Sequence, residues 1–318
     1  MKVTGRLTPR CLPTDNHWRI VSPSRCVDMD IYEQIVDLRR SGRRGAVATI
    51  VNVRGSIPSF QTAKMLVRDD GSIVGTIGGG CVEADVWQAA REVMESEKPQ
   101  TLKFDLNQDP KYDTGLVCGG TLEVFIEPVL PPALLYIFGA GHVALNTCRV
   151  ASSAGFDVIV TDDRTSYATQ ERFPAAREVH AMNFPEAMAK LEPNEASYLV
   201  IVTRGHRDDM QLLRWAIQTR ARYIGMIGSK RKIIGIFKAL EAEGLPAQLF
   251  ERVHAPIGID IGAVTPEEIA VAITAELIAI RRRSTAALPY LSWFKGALQD
   301  SSDHAAQAVE TIDHDESA

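Results

Sequence analysis

The chain has 318 residues, 45% hydrophobic and 24% charged, with a formal net charge of −5 at pH 7. That length exceeds what one core commonly fills, so two domains are expected, and the weakly acidic balance argues against nucleic acid as a partner. No apolar run approaches the ~18 residues of a membrane span, and Arg10, Asp15, Arg19 and Arg25 interrupt the first thirty residues, so neither a membrane anchor nor a signal peptide is expected and the chain reads as cytoplasmic.

The five cysteines, Cys11, Cys26, Cys81, Cys118 and Cys148, are odd in number and without C-x-x-C spacing, which favours free thiols over a disulfide framework. Residues 1–26 carry Pro13 and Pro23 with no period and read as an irregular arm. A helix over 30–40 places Ile31, Ile35 and Leu38 on one face. A strand over 46–53 runs into the turn Gly55-Ser56-Ile57-Pro58, and strands over 64–68 and 72–76 flank the hairpin signal Asp69-Asp70-Gly71. Gly78-Gly79-Gly80-Cys81-Val82-Glu83 then opens a helix reaching about residue 97. A strand over 101–106, a polar loop to Cys118-Gly119-Gly120 and a strand over 121–127 follow, and Pro128, Pro131 and Pro132 mark a linker. A smaller α+β domain over 27–128 is therefore expected, then a linker over 129–133.

The next stretch organises the second domain, over 134–295. Residues 134–138 form the short apolar run of a strand buried on both faces. Gly139-Ala140-Gly141-His142-Val143-Ala144 is a G-x-G-x-x-A turn, a helical pattern runs to Ala154, and a β-branched run over 158–161 ends in Asp162 and Asp163. An acid ~20 residues past the first glycine is where a ribose-binding carboxylate belongs, and it favours NAD over NADP. Gly141 lets a pyrophosphate approach, and His142 covers the ligand's edge. The alternation continues with apolar strands over 198–203 and 223–227, giving an α/β fold with a Rossmann-like, doubly wound parallel sheet.

Those two strands end in polar loops, Arg204-Gly205-His206 and Gly228-Ser229-Lys230-Arg231-Lys232. Cations in a helix's first turn oppose its dipole, so a bound phosphate would offset Lys230 and Arg231; the alternative is a solvated basic turn. His206 and His254 fall in loops and are candidate ligand contacts. Cys81, between a triple glycine and a helix start, has the setting of a thiolate, while Cys118 beside its own diglycine is open to the same use and Cys148 reads as packing. Thr265-Pro266-Glu267-Glu268 caps the last helix, with Ile269, Ile273, Leu277 and Ile280 as its buried stripe. The tail over 296–318 has six carboxylates and no Lys or Arg, and reads as solvated and disordered.

Taken together, Gly55-Ser56-Ile57-Pro58, residues 63–67, Gly78-Gly79-Gly80-Cys81-Val82-Glu83, Cys118-Gly119-Gly120, residues 137–144, Thr203-Arg204-Gly205-His206, residues 224–232 and His254-Ala255-Pro256-Ile257-Gly258 resemble the XdhC/CoxI family of molybdenum-cofactor insertion chaperones. The resemblance runs from about residue 30 to 283 and departs at Ser59-Phe60-Gln61-Thr62. It implies a carrier with no turnover of its own. Such a carrier binds molybdopterin or its cytosine dinucleotide form, protects it while a cysteine desulfurase supplies the terminal sulfur, and delivers it to an apo-molybdenum hydroxylase of the xanthine dehydrogenase/aldehyde oxidase class. A homo-oligomer, such as a dimer, is implied as well. Cys81 is then expected at the metal–sulfur end and the Gly139 turn at the phosphate end. Two other readings stay open: an NAD(P)-dependent oxidoreductase using the same fingerprint, with His206 as its candidate acid–base, and a nucleotide-sensing regulator.

Overall fold

The structure, a computed structural model, describes residues 10–14, 17–21, 30–56, 62–106 and 119–292. Cys118, the departure over 59–61 and the acidic tail lie outside the described residues. The chain divides into two compact units, Met1–Pro132 and Ala133–Ala318.

In the first unit, β1 (Arg10–Thr14) and β2 (His17–Val21) pair antiparallel, where the sequence pattern points to an irregular arm. Pro13 obscures the pattern, but the run His17–Val21 is rich in β-formers. Next come α1 (Ile31–Arg40), β3 (Gly45–Ser56), β4 (Lys64–Arg68), β5 (Ile73–Gly75), α2 (Gly80–Ser96), β6 (Gln100–Asp105) and β7 (Gly119–Val129). The last five strands form an antiparallel sheet in the order β5-β4-β3-β7-β6.

Strand alternation divides this sheet's side chains between two helices. Ala46, Ala48 and Ile50 of β3, Met65 and Val67 of β4, and Leu122, Val124 and Ile126 of β7 pack with Val86, Ala90 and Val93 of α2. Val47 and Leu66 point the other way, onto Leu38 and the partly buried Ile31 and Ile35 of α1. The strands are apolar on both sides for that reason.

The second unit contains β8 (Leu134–Phe138), α3 (His142–Ser153), β9 (Asp157–Asp162), β10 (Glu178–Ala181), α4 (Phe184–Lys190), β11 (Ser197–Ile201), α5 (His206–Ala216), β12 (Tyr223–Met226), α6 (Lys230–Ala242), β13 (Val253–His254) and α7 (Pro266–Arg281). Its sheet is parallel throughout, ordered β10-β9-β8-β11-β12-β13. Numbered within the unit this is 3-2-1-4-5-6, the dinucleotide-binding order, with the reversal between β8 and β11.

Leu135, Ile137, Val158, Val160, Tyr198 and Val200 meet Ala144 and Cys148 of α3 and Ile273 and Leu277 of α7. Phe138, Ile159, Leu199, Ile201, Ile224 and Met226 meet Leu212 and Leu213 of α5 and Ile233, Ile236 and Phe237 of α6. Helices on both faces thus account for the uninterrupted apolar strands. α7 starts with the expected capping box of Thr265 and Glu268.

His254 is a correction. The sequence pattern puts it in a loop and outside any core; it lies in β13 and is 3% exposed. Its Nδ1 pairs with the wholly buried carboxylate of Glu276, which also accepts from Tyr223 Oη (2.8 Å) and from the Gly258 N–H. A polar stretch that reads as a loop becomes core here because α7 carries a carboxylate to it.

Candidate functional site

The site is the carboxyl edge of the second unit's sheet, where β8, β11 and β12 each pass through a glycine-containing loop directly into α3, α5 and α6. The strands are parallel, so these loops share one edge. Ligands of open α/β sheets sit at that edge, at the point where strand order reverses.

The two turn glycines have different jobs. Gly139 has φ +118, and a Cβ there would stand 2.4 Å from the Val202 carbonyl oxygen, so the fold itself requires glycine. Gly141 has an ordinary φ of −75 and serves as N-cap of α3. A Cβ at Gly141 would meet nothing within 4 Å among the described residues, so none of their contacts explains the glycine. Open space over helix amides is what an anion needs.

Ala140, between these glycines, is held through both of its backbone groups. Its N–H donates to Asp162 Oδ2 (2.7 Å), and Arg172 Nη1 donates to the Ala140 carbonyl (3.2 Å). Asp162 is itself buried, and Arg164 donates to it three times, from its backbone N–H (2.9 Å) and Nε (2.8 Å) to Oδ1 and from Nη2 (2.8 Å) to Oδ2. Burial alone would push the carboxyl up; the Arg164 bonds and the Ala140 N–H outweigh it and hold the pKa at about 2. The guanidinium groups of Arg164 and Arg172 both lie over the Tyr167 ring, 3.9 and 4.6 Å from its centroid.

At the end of β11, exposed Arg204 pairs with Asp163 after β9 (2.7 Å), and exposed His206 is the first residue of α5. The Asp208 carboxyl in that first turn is raised from its ordinary value, by burial first and then by Asp163, with Arg204 opposing and Asp209 and Asp162 adding to it. At the end of β12, Ser229 caps α6 by accepting the Lys232 N–H, and Lys230 and Arg231 stand exposed in its first turn, as the sequence pattern leads one to expect. Lys232 is different, because its Nζ pairs with fully buried Asp209, which also accepts from Thr203 Oγ1 (2.7 Å). A Cβ at Gly228 would stand 3.2 Å from the Lys232 stem, and His142 is exposed at the first position of α3.

Gly139, Gly141, His142, Arg204, His206, Gly228, Ser229, Lys230 and Arg231 therefore all lie on one edge, while Asp162 lies beneath it. Sequence reasoning missed the partners Arg164, Arg172 and Asp209. An Asp-x-Arg spacing directly after a strand was the legible signal for the first of these.

In the first unit, Gly79 and Gly80 adopt φ +84 and +72 and lead into α2, whose second residue is the exposed Cys81. Glu83 folds back to accept from the Ile77 N–H (3.1 Å) and Thr76 Oγ1, which closes the loop onto the helix. Among the described residues no three His, Cys, Asp or Glu side chains converge as a metal site, and no helix is long and apolar enough to cross a membrane.

A sheet of this order with an open glycine turn at its reversal point defines a Rossmann-type unit. The family description "XdhC Rossmann domain" matches residues 135–277, and "XdhC and CoxI family" matches residues 38–105. The chain belongs to the XdhC and CoxI family. It is 33% identical over 261 residues to "Uncharacterized protein YqeB" of Escherichia coli (strain K12), covering 82% of this chain and 48% of that protein, so it spans about half that relative's length. It is 26% identical over 317 residues to a protein of Bacillus subtilis (strain 168) described as a probable xanthine dehydrogenase subunit, covering 74% of this chain and 93% of the relative. "Molybdenum cofactor insertion chaperone PaoD" of Escherichia coli (strain K12) is 22% identical over 321 residues, covering 84% and 93%.

Proposed function

We propose that this protein is a molybdenum-cofactor insertion chaperone serving an enzyme of the xanthine dehydrogenase class. The single observation that carries the reading is Gly141, the N-cap of α3, where a Cβ would meet nothing within 4 Å among the described residues, in a chain with both modules of this family. In this reading the Gly139–His142 turn takes the phosphate or pyrophosphate of the pterin cofactor. Lys230 and Arg231 add positive charge at the same edge, and His142, Arg204 and His206 line it.

The cargo is molybdopterin or its cytosine dinucleotide form. Cys81, together with Cys118, offers thiol chemistry to the soft molybdenum–sulfur end, since thiolates suit soft centres. The chaperone holds that centre while a cysteine desulfurase supplies sulfur, then hands it to the apo-enzyme, and it works as a homo-oligomer. The test is to purify the chain from cells making the cofactor and measure molybdenum and oxidisable pterin per protomer. Reactivation of an apo-hydroxylase by the loaded protein is then measured. Stoichiometric pterin is expected. A bound nicotinamide in its place, without pterin, overturns the reading.

A further inference from the structure

We propose that Arg164 and Asp162 form a specificity-determining pair that closes the ribose-reading position of this Rossmann unit, so that it rejects adenine dinucleotides while keeping its phosphate turn. In a dinucleotide-binding unit the acid ending the second strand accepts hydrogen bonds from a ribose diol, which requires free lone pairs facing the ligand. A carboxylate offers about four such sites. Asp162 ends the second strand, β9, and all four are taken: Oδ1 by the Arg164 N–H and Nε, Oδ2 by the Ala140 N–H and Arg164 Nη2. Its 3% exposure leaves no path for a hydroxyl to compete.

The neighbouring acid is engaged as well, through Arg204 at 2.7 Å. Asp162 thus acts on a ligand through another group. It fixes the Ala140 N–H, while Arg172 holds the carbonyl of the same residue, and so shapes the turn without touching a nucleoside. The Arg164 side chain decides this, because removing it would free one acceptor site on each Asp162 oxygen while the two backbone N–H bonds remain.

This inference does not depend on the chaperone reading; it concerns what the unit turns away. The experiment titrates the full chain with NADH and, separately, ADP-ribose, by fluorescence and calorimetry. Wild type is expected to show no saturation with either up to ~1 mM, and folded Arg164→Met to bind both about tenfold tighter or better, as freed acceptors meet the diol. Gained affinity is not something a merely structural loss produces. If Arg164→Met does not fold, Arg164→Lys, which keeps the charge and releases at least one acceptor site, is read the same way. Micromolar NADH binding by wild type that Asp162→Asn weakens overturns the proposal, and so does a folded Arg164 variant with no gain. Molybdenum is not read in this test, so failure of the chaperone reading leaves it intact.

Discussion

Asp162 and Arg164 face each other across a two-point ion pair, Nε 2.8 Å from Oδ1 and Nη2 2.8 Å from Oδ2, at the end of β9. The carboxyl's pKa falls from 3.8 to about 2. A folded-state pKa below the unfolded one contributes stability that is present above the unfolded value and lost as pH falls through the folded one. The pair's contribution, on the order of 2 kcal/mol, should therefore be complete at neutral pH and disappear between about pH 4 and pH 2. Denaturant melts of wild type and Asp162→Asn across that window should converge at the acid end. Parallel curves would show that the ionisation is not coupled to folding.

Gly139 and Gly141 should separate stability from binding. Gly139→Ala forces a Cβ to 2.4 Å from the Val202 carbonyl at a left-handed φ, and should cost roughly 2 kcal/mol or more. Gly141→Val has open space and an ordinary φ, so its melting point should stay near wild type while affinity for the pterin cofactor drops at least tenfold. A folded Gly141→Val with unchanged affinity in calorimetry would remove the turn from the binding site.

The three cations at the start of α6 should behave differently. Lys232→Met leaves the Asp209 carboxylate buried without its partner and should cost ~3–5 kcal/mol. Lys230→Ala with Arg231→Ala should leave folding within about 0.5 kcal/mol and weaken ligand binding in a salt-dependent way. Equal loss of binding at low and high salt would mark these two as a solvated face.

Glu276 is wholly buried and serves Tyr223, His254 and the Gly258 N–H. Glu276→Ala removes the carboxylate that all three groups share and opens a cavity, so a loss of ~3–5 kcal/mol is expected, with Glu276→Gln milder. Urea midpoints for the two variants test the order. An Ala variant as stable as wild type would mean that β13 and α7 are held together by apolar packing alone.

Cys81→Ser preserves size and polarity at an exposed position, so the variant should melt with wild type. Molybdenum per protomer and apo-hydroxylase reactivation should both fall. Wild-type values on both counts would move the metal–sulfur end away from this thiol.

The sequence by itself determined the layered architecture of the second unit. Apolar runs at Leu134–Phe138, Ser197–Ile201 and Tyr223–Met226 are too continuous for strands with one wet face, and the glycine turn and the Thr265–Glu268 capping box are local chemistry written in adjacent residues. Two short elements of the second unit escaped it. β10 has four residues and β13 has two, and such segments are strands only because a neighbour in the sheet pairs with them. Charge roles were decided wholly in three dimensions. Asp162 reads as a ligand acid until the backbone path turns Arg164 back onto it, and Lys232 reads like Lys230 until α5 brings Asp209 beneath it. His254 reads as a loop residue until α7, 22 positions on, supplies Glu276. Hydrophobic period and capping act over a few residues and can be read along the chain, whereas the partner of a buried charge is chosen by packing between elements distant in sequence.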